Sequence, residues 1–260
     1  MNRGFTLVEL VVVLLVIALT THLAVREVSR VRDAKLAAAA NRQLEDIRSA
    51  ALDFLADTGR LAMATNGTLS ELWERPSGVA EYGIRPATAA NMVAGVDPRL
   101  VNPAVHVPTG WRGPYLRLPF GKSRLFDPWG NPIEAKDSAG LSRIGLTNGL
   151  YASSVSHYGP KGQAGDAHVV SLLPERGESC ALTVWATGSG VSDSVTLAWY
   201  GPASGSITGA VAQVSANVQH RFEGLTPGER IVTAKAGASA TVIRLVDVRP
   251  GDNLVEIDIK

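Results

Sequence analysis

The chain has almost no cysteine. Cys180 is the only one, so no intramolecular disulfide is possible. A small buried apolar role fits a lone thiol. Charge of one sign is also missing: 25 Lys+Arg oppose 24 Asp+Glu, for a net charge of +1. That balance leaves no electrostatic footprint for nucleic acid. The five histidines, His22, His106, His157, His168 and His220, lack metal-ligand spacing. There is no G-x-S-x-G nucleophile elbow and no P-loop. These absences give no support to an enzyme, a cofactor or a resident metal. What remains is 45% hydrophobic and 19% charged residues over 260 positions, an ordinary globular balance plus one long apolar run.

That run is placed unusually. A short leader with Arg3 ends in Gly4, Phe5 follows, and the segment Leu7 to Ala24 is apolar except near its start, at Glu9. A secretory signal peptide is cut after its apolar core and carries no acid inside it. Here the small residue, Gly4, precedes the core. An acid within a membrane span costs about 2.5–3.5 kcal/mol on insertion scales and marks function. Near a helix N-terminus, Glu9 also gains from the helix dipole.

The segment Gly4-Phe5-Thr6-Leu7-Val8-Glu9 resembles the processing site of the type IV pilin and pseudopilin superfamily. The resemblance implies cleavage after Gly4 by a prepilin peptidase, N-methylation of Phe5, and assembly into a helical filament. It implies that Glu9 pairs with the α-amine of Phe5 on a neighbouring subunit. Partners would be other pilin or pseudopilin subunits and an inner-membrane assembly platform. The head would lie in the periplasm. Flanking charge points the other way. Arg26, Arg30, Arg32 and Lys35 follow the span, against Glu27 and Asp33, whereas only Arg3 and the initiator amine precede it. The composite motif outweighs that bias.

Residues Phe5 to Ala56 read as one helix. Val25, Val28, Val31, Leu36, Leu44, Ile47, Ala51 and Leu55 form an apolar stripe, no proline interrupts it, and Asp57-Thr58-Gly59 supplies the stop. Residues 60 to 110 are irregular. Thr68-Leu69-Ser70-Glu71 fits a capping box opening a short helix through Trp73, and a second short helix fits Thr88 to Val93.

Gly110-Trp111-Arg112-Gly113-Pro114-Tyr115-Leu116 and Phe126-Asp127-Pro128-Trp129-Gly130-Asn131-Pro132 look like the head of the type II secretion major pseudopilin. That likeness implies a small antiparallel sheet and aromatics (Trp111, Tyr115, Trp129) closing the head onto the helix. Asn148-Gly149 is a hairpin signal. In the loop where that family holds calcium, His157 to Asp166, Lys161 stands at the first acidic position and only Asp166 remains. Too little negative charge is left for calcium.

From about 176 the pattern changes. Alternating runs at Leu182–Trp185, Val195–Trp199, Val211–Val218, Ile231–Ala236, Thr241–Val246 and Val255–Ile259 are separated by turn clusters at 188–190, 201–205, 226–228 and 250–253. This spacing argues for a β-sandwich. Phe222 to Gly228 is similar to carboxypeptidase-regulatory-like or related immunoglobulin-like sandwiches.

The expectation is an α+β chain: leader 1–4, transmembrane and stalk helix 5–59, pilin-like head 60–175, and an immunoglobulin-like sandwich 176–260. Its function would be a structural subunit of a type II secretion pseudopilus or type IV pilus-like filament. The alternative is a minor pilin that binds through the sandwich, with Trp199 and Tyr200 exposed as a patch.

Overall fold

In the computed structural model the described residues are 7–62, 69–136, 154–157, 168–171, 180–188, 194–204, 206–237 and 239–259. They form an α+β protein with one long helix and several mainly antiparallel sheets. Helix α1, Leu7–Thr58, has 52 residues. At 1.5 Å per residue it is about 78 Å long. The stop falls where the sequence places it. Gly59 takes φ 70° and its N–H donates to the Leu55 carbonyl at 2.8 Å, the left-handed cap that glycine adopts without a Cβ penalty.

The apolar stripe divides in two. Leu44, Ile47, Ala51 and Leu55 are buried, with Ala40, Ala50 and Phe54 beside them. Val25, Val28 and Val31 stay exposed. The first core therefore begins near Ala40. It joins the helix to Ala62, Leu69, Leu72, Ile133 and Ala135, and half-buried Trp111, Tyr115, Leu116 and Leu125 pack against it. Strands β3 (Glu134–Lys136), β4 (Ser154–His157) and β5 (His168–Ser171) form an antiparallel sheet in that order, and β4 and β5 lie against α1.

The C-terminal strands are β6 (Cys180–Thr187), β7 (Ser194–Ala203), β8 (Ser206–Ser215), β9 (Gln219–Leu225), β10 (Gly228–Ala236), β11 (Val242–Val248) and β12 (Gly251–Asp258). They make a four-stranded sheet, β11-β10-β7-β8, and a three-stranded sheet, β12-β6-β9. A second core lies between them. Leu182, Val184 and Ala186 of one sheet meet Val195, Leu197, Val232 and Ala234 of the other, with Cys180 enclosed. Cys180 is buried and takes part in no disulfide. Strand β12 runs parallel to β6.

A third core covers the outer face of the four-stranded sheet. Strands β1 (Gly83–Ala87) and β2 (Asn102–Thr109) pair antiparallel. They bring Ala87, Val105 and Val107 onto Ala198, Tyr200, Ile207 and Ile231.

Five local expectations change. Residues 60 to 110 read as irregular, yet they hold β1 and β2, paired with each other and packed on the four-stranded sheet. Residues Thr88 to Val93 make one turn and no helix. The Val93 N–H donates to the Ile207 carbonyl at 2.9 Å and the Ile207 N–H to the Asn91 carbonyl at 2.7 Å. The Asn91 and Met92 N–H groups close that turn on the Thr88 carbonyl, and tertiary pairing with β8 stops it from continuing as a helix. Ser70–Leu72 is a single 3₁₀ turn whose N-cap position is held by Leu69, which has no side-chain acceptor, and the Glu71 carboxylate pairs with Arg60; Thr68 lies outside the described residues. The run Val211–Val218 is cut after Ser215 by a turn in which Asn217 has φ 62°, and β9 follows. The turn cluster at 201–205 starts late, since β7 continues to Ala203. Asn148-Gly149 and the loop residues Lys161 and Asp166 lie outside the described residues.

Candidate functional site

The first candidate is the exposed half of α1. Every large apolar side chain from Leu7 to Val31 is between 49 and 80% exposed. The most apolar 18-residue window has a mean hydropathy of 2.5 and is long enough to cross a membrane. The polar groups inside it are managed locally. Thr20 Oγ1 donates to the Val16 carbonyl at 2.9 Å and Thr21 Oγ1 to the Ile17 carbonyl at 2.7 Å, so neither hydroxyl needs water. Glu9 sits in the first turn of the helix as described, on its exposed surface. Gly4 and Phe5 lie outside the described residues.

The second candidate is the neck, where α1 ends. A helix leaves its last carbonyls unsatisfied. Here two other parts of the chain supply donors. Gly110 N–H donates to the Asp57 carbonyl at 3.1 Å, and Ser204 N–H to the Thr58 carbonyl at 2.8 Å. The contact is close: a Cβ at Gly59 would stand 1.8 Å from the Pro202 carbonyl oxygen. The head and the C-terminal sheets are thus both tied to one helix terminus.

Side chains reinforce the joint. Phe54 meets Tyr115 edge-on at 5.6 Å, and Trp111 meets Tyr115 at 6.0 Å. Trp111 Nε1 donates to the Glu71 carbonyl at 3.0 Å. These two aromatics close the head onto the stalk. Trp129 is half-buried elsewhere, in the turn where its N–H donates to Asp127 Oδ1 at 3.0 Å. Below them Arg60 forms a two-bond pair with Glu71, 2.7 and 2.8 Å, with its guanidinium over the Phe54 ring at 5.2 Å.

Around Asp57 a polar network spans all three parts. Tyr115 Oη donates to Asp57 Oδ2 at 3.0 Å, and Arg112 pairs with Asp57 at 3.3 Å and Glu229 at 3.8 Å. The Arg112 guanidinium lies 4.0 Å over the Tyr82 ring, and Tyr82 Oη donates to Glu229 Oε2 at 3.3 Å. Beside this network opens a cleft of about 340 Å³, also lined by Asp53 and Asp247. Burial pushes the Asp57 carboxyl above its ordinary range despite Arg112 and Tyr115. Burial alone would lower Arg112, but Asp57 and Tyr82 hold it up. The two directions agree once exposure is considered: the Asp57 side chain is 14% exposed and Arg112 53%. Arg112 keeps its hydration and Asp57 loses most of its own. Burial likewise raises Tyr115.

A carboxyl held above its unfolded value binds its proton more tightly in the folded state. Its contribution to stability therefore falls as pH rises from the unfolded value, near 3.8, through the folded one. The Asp57→Asn variant is expected to lack that decline. Denaturation midpoints of parent and variant should diverge across this acidic window and run parallel from pH 6 to 8. Identical profiles throughout would contradict the assignment.

Near the same joint, Arg230 is 1% exposed. Its guanidinium donates to the carbonyls of Glu229, Thr226 and Pro227 and to the Thr226 hydroxyl. Burial lowers its pKa to about 10, so it stays charged at neutral pH and holds the β9–β10 turn.

The proposed aromatic patch is not formed. Tyr200 is 2% exposed in the third core, and Trp199 packs on the opposite face against the second. Alternation along β7 separates neighbouring residues. Trp185 is half-buried on the outer side of β6. Among the described residues no group of three His, Cys, Asp or Glu is arranged for a metal. Sequence reasoning missed the neck network. Asp57 was read only as part of a helix stop, and Glu229 carries no local signal.

Taken together, the class is an α+β protein with a long, apolar and exposed N-terminal helix, buried only in its second half. Residues 1–25 match the family model described as the prokaryotic N-terminal methylation motif, which is a pilin- or pseudopilin-type prepilin signal. No curated protein matches the chain.

Proposed function

We propose that this chain is a structural, non-enzymatic subunit of a pilin-like filament, nearest to the pseudopilins of type II secretion. A prepilin peptidase cleaves after Gly4 and Phe5 is methylated. The precursor spans the bacterial inner membrane once with its head in the periplasm. Subunits then polymerise through α1 at an inner-membrane platform, as a secretion pseudopilus or a surface filament. Residues 5–59 serve as anchor and stalk, 60–175 as the head, and 176–260 as an added sandwich.

One observation carries the reading. The methylation motif over residues 1–25 runs directly into a helix whose apolar surface stays exposed as far as Val31. A membrane covers roughly 20 residues of helix. The stripe continues past that length, and its Val25, Val28 and Val31 need another apolar surface, which neighbouring helices in a filament provide. The aromatic closure by Trp111 and Tyr115 matches the second resemblance.

The test is Gly4→Trp. A bulky residue at the cut site is expected to block the peptidase, so the precursor accumulates in the membrane fraction with its leader intact and no filaments are shed. Normal maturation of Gly4→Trp would overturn the proposal.

A further inference from the structure

Residues 115–126 form a loop that holds Arg117, Lys122 and Arg124 and no acid. Phe120, at its turn, is the most exposed large apolar side chain among the described residues. The turn closes through Lys122 N–H to the Pro119 carbonyl at 3.1 Å, with Gly121 at φ 73°. The base of the loop is anchored: Gln43 Nε2 donates to the Phe126 carbonyl at 3.0 Å. A defined turn therefore presents an aromatic ring to solvent amid cations. Burying such a ring is favourable because it removes apolar surface from water.

The outer face of the β12-β6-β9 sheet has the opposite character. Leu182, Val184 and Ala186 face the core, so Thr183, Trp185 and Thr187 face outward. In register, Trp185 lies between Glu256 of β12 and Gln219 of β9, and Thr183 lies between Leu254 and Arg221. Leu254 is exposed. Glu223, Asp252, Glu256 and Asp258 surround this apolar centre. Among the described residues of these three strands Arg221 is the one cation, and it pairs with Asp252 at 2.7 Å and Glu223 at 3.0 Å. Among the described residues Glu256 and Asp258 have no ion-pair partner. An aromatic and a leucine inside a charged rim have the anatomy of a contact centre.

We propose that the two patches are halves of one contact between copies of this chain. Phe120 of one copy packs beside Trp185 and Leu254 of the next, with Arg117, Lys122 and Arg124 facing the acidic rim. The two surfaces differ, so the contact is heterologous, the kind that repeats from copy to copy along an open helical filament. It rests on the filament reading, to which it adds a contact made by the folded parts and not by α1. Charge complementarity selects the occupant: a loop whose charged residues are all cations meets a sheet face on which the described residues are four carboxylates and one arginine. A lipid surface fits less well. Gln43 lies 18 residues beyond Val25, roughly 27 Å along the helix. Six residues from Phe126 to Phe120 reach at most about 20 Å, and the turn shortens that.

The test uses the full chain in cells that carry its assembly machinery. Phe120→Cys and Leu254→Cys chains are co-expressed and oxidised; Cys180, 1% exposed, stays as it is. A disulfide between the two variants is expected, with little product from either alone. Adding Lys122→Glu to the first chain should cut the yield about tenfold, and Glu256→Lys on the second should restore it, because charge pairing sets the register of such contacts. A stalk pair, Val12→Cys with itself or Val16→Cys, reports α1 packing independently. Stalk cross-links without the 120–254 product would overturn this contact and leave the filament reading standing. Neither product would overturn both. A 120–254 product without stalk cross-links would support the contact and count against the filament.

Discussion

Replacing Glu71 with alanine is expected to lower the unfolding free energy by about 3–5 kcal/mol, the cost of removing one partner from a buried ion pair. The side chains of Arg60 and Glu71 are only 10 and 12% exposed, and two short bonds join them. A pair in water would be worth under about 1 kcal/mol. Here the guanidinium would be left among Phe54 and the Leu61 carbonyl, with no carboxylate and little solvent. The backbone acceptor for Trp111 would survive, because that bond uses the Glu71 carbonyl. The loss therefore reports the charge pair and not the aromatic closure. A fragment starting at Arg26 suits the measurement, since the first buried residue of the helix is Ala40. Denaturant titration of Glu71→Ala, Arg60→Ala and Arg60→Met with Glu71→Leu gives the comparison. Each single variant should fall by the stated amount, and the apolar pair should recover most of it. A loss below 1 kcal/mol in the single variants would mean the pair behaves as an exposed one.

Glu9→Val is expected to leave membrane insertion unchanged or improved and to deplete the subunit from filaments by more than tenfold. Removing an acid from the apolar run favours insertion, by less than the roughly 2.5–3.5 kcal/mol of a charge at a span's centre, because Glu9 stands in the first turn. In the proposed filament the same change leaves the Phe5 amine of the neighbour without its carboxylate in an apolar setting. Truncating one partner of a desolvated pair costs about 2–5 kcal/mol, and 1.4 kcal/mol is already tenfold. The readout is the ratio of sheared or pelleted filament to membrane-fraction protein. Wild-type ratios in Glu9→Val would remove the proposed role of the acid.

The elements legible in the sequence are those specified by neighbours along the chain. The helix is fixed by its periodicity and by Gly59, and six alternating runs mark strands because alternation sorts residues onto two faces. What escaped depends on distant partners. Thr88 to Val93 has helical composition, but after one turn on the Thr88 carbonyl its bonds pass to Ile207. Strand β9 carries polar Gln219, His220 and Arg221, so its pattern is weak, and the parallel pairing of β12 with β6 has no local signature. The same holds for the site. Glu9 stands out as an acid in an apolar run, whereas Asp57, Arg112 and Glu229 look like ordinary surface charges. They meet only because the neck brings residues 57, 112 and 229 together.

The neck also explains how such a chain can carry an extra pair of sheets without loosening the stalk. The helix terminus is capped from both sides, by Gly110 and by Ser204. Glycine at position 59 lets the β7–β8 turn approach the helix end more closely than any side chain would permit.

The central claim is that the apolar helix belongs to the mature protein and begins at its N-terminus. Intact-mass and terminal-peptide mass spectrometry of the chain purified from membranes tests it most directly. The account predicts a mature chain starting at N-methylated Phe5. A mature chain starting near residue 25, with the apolar run removed, would contradict it.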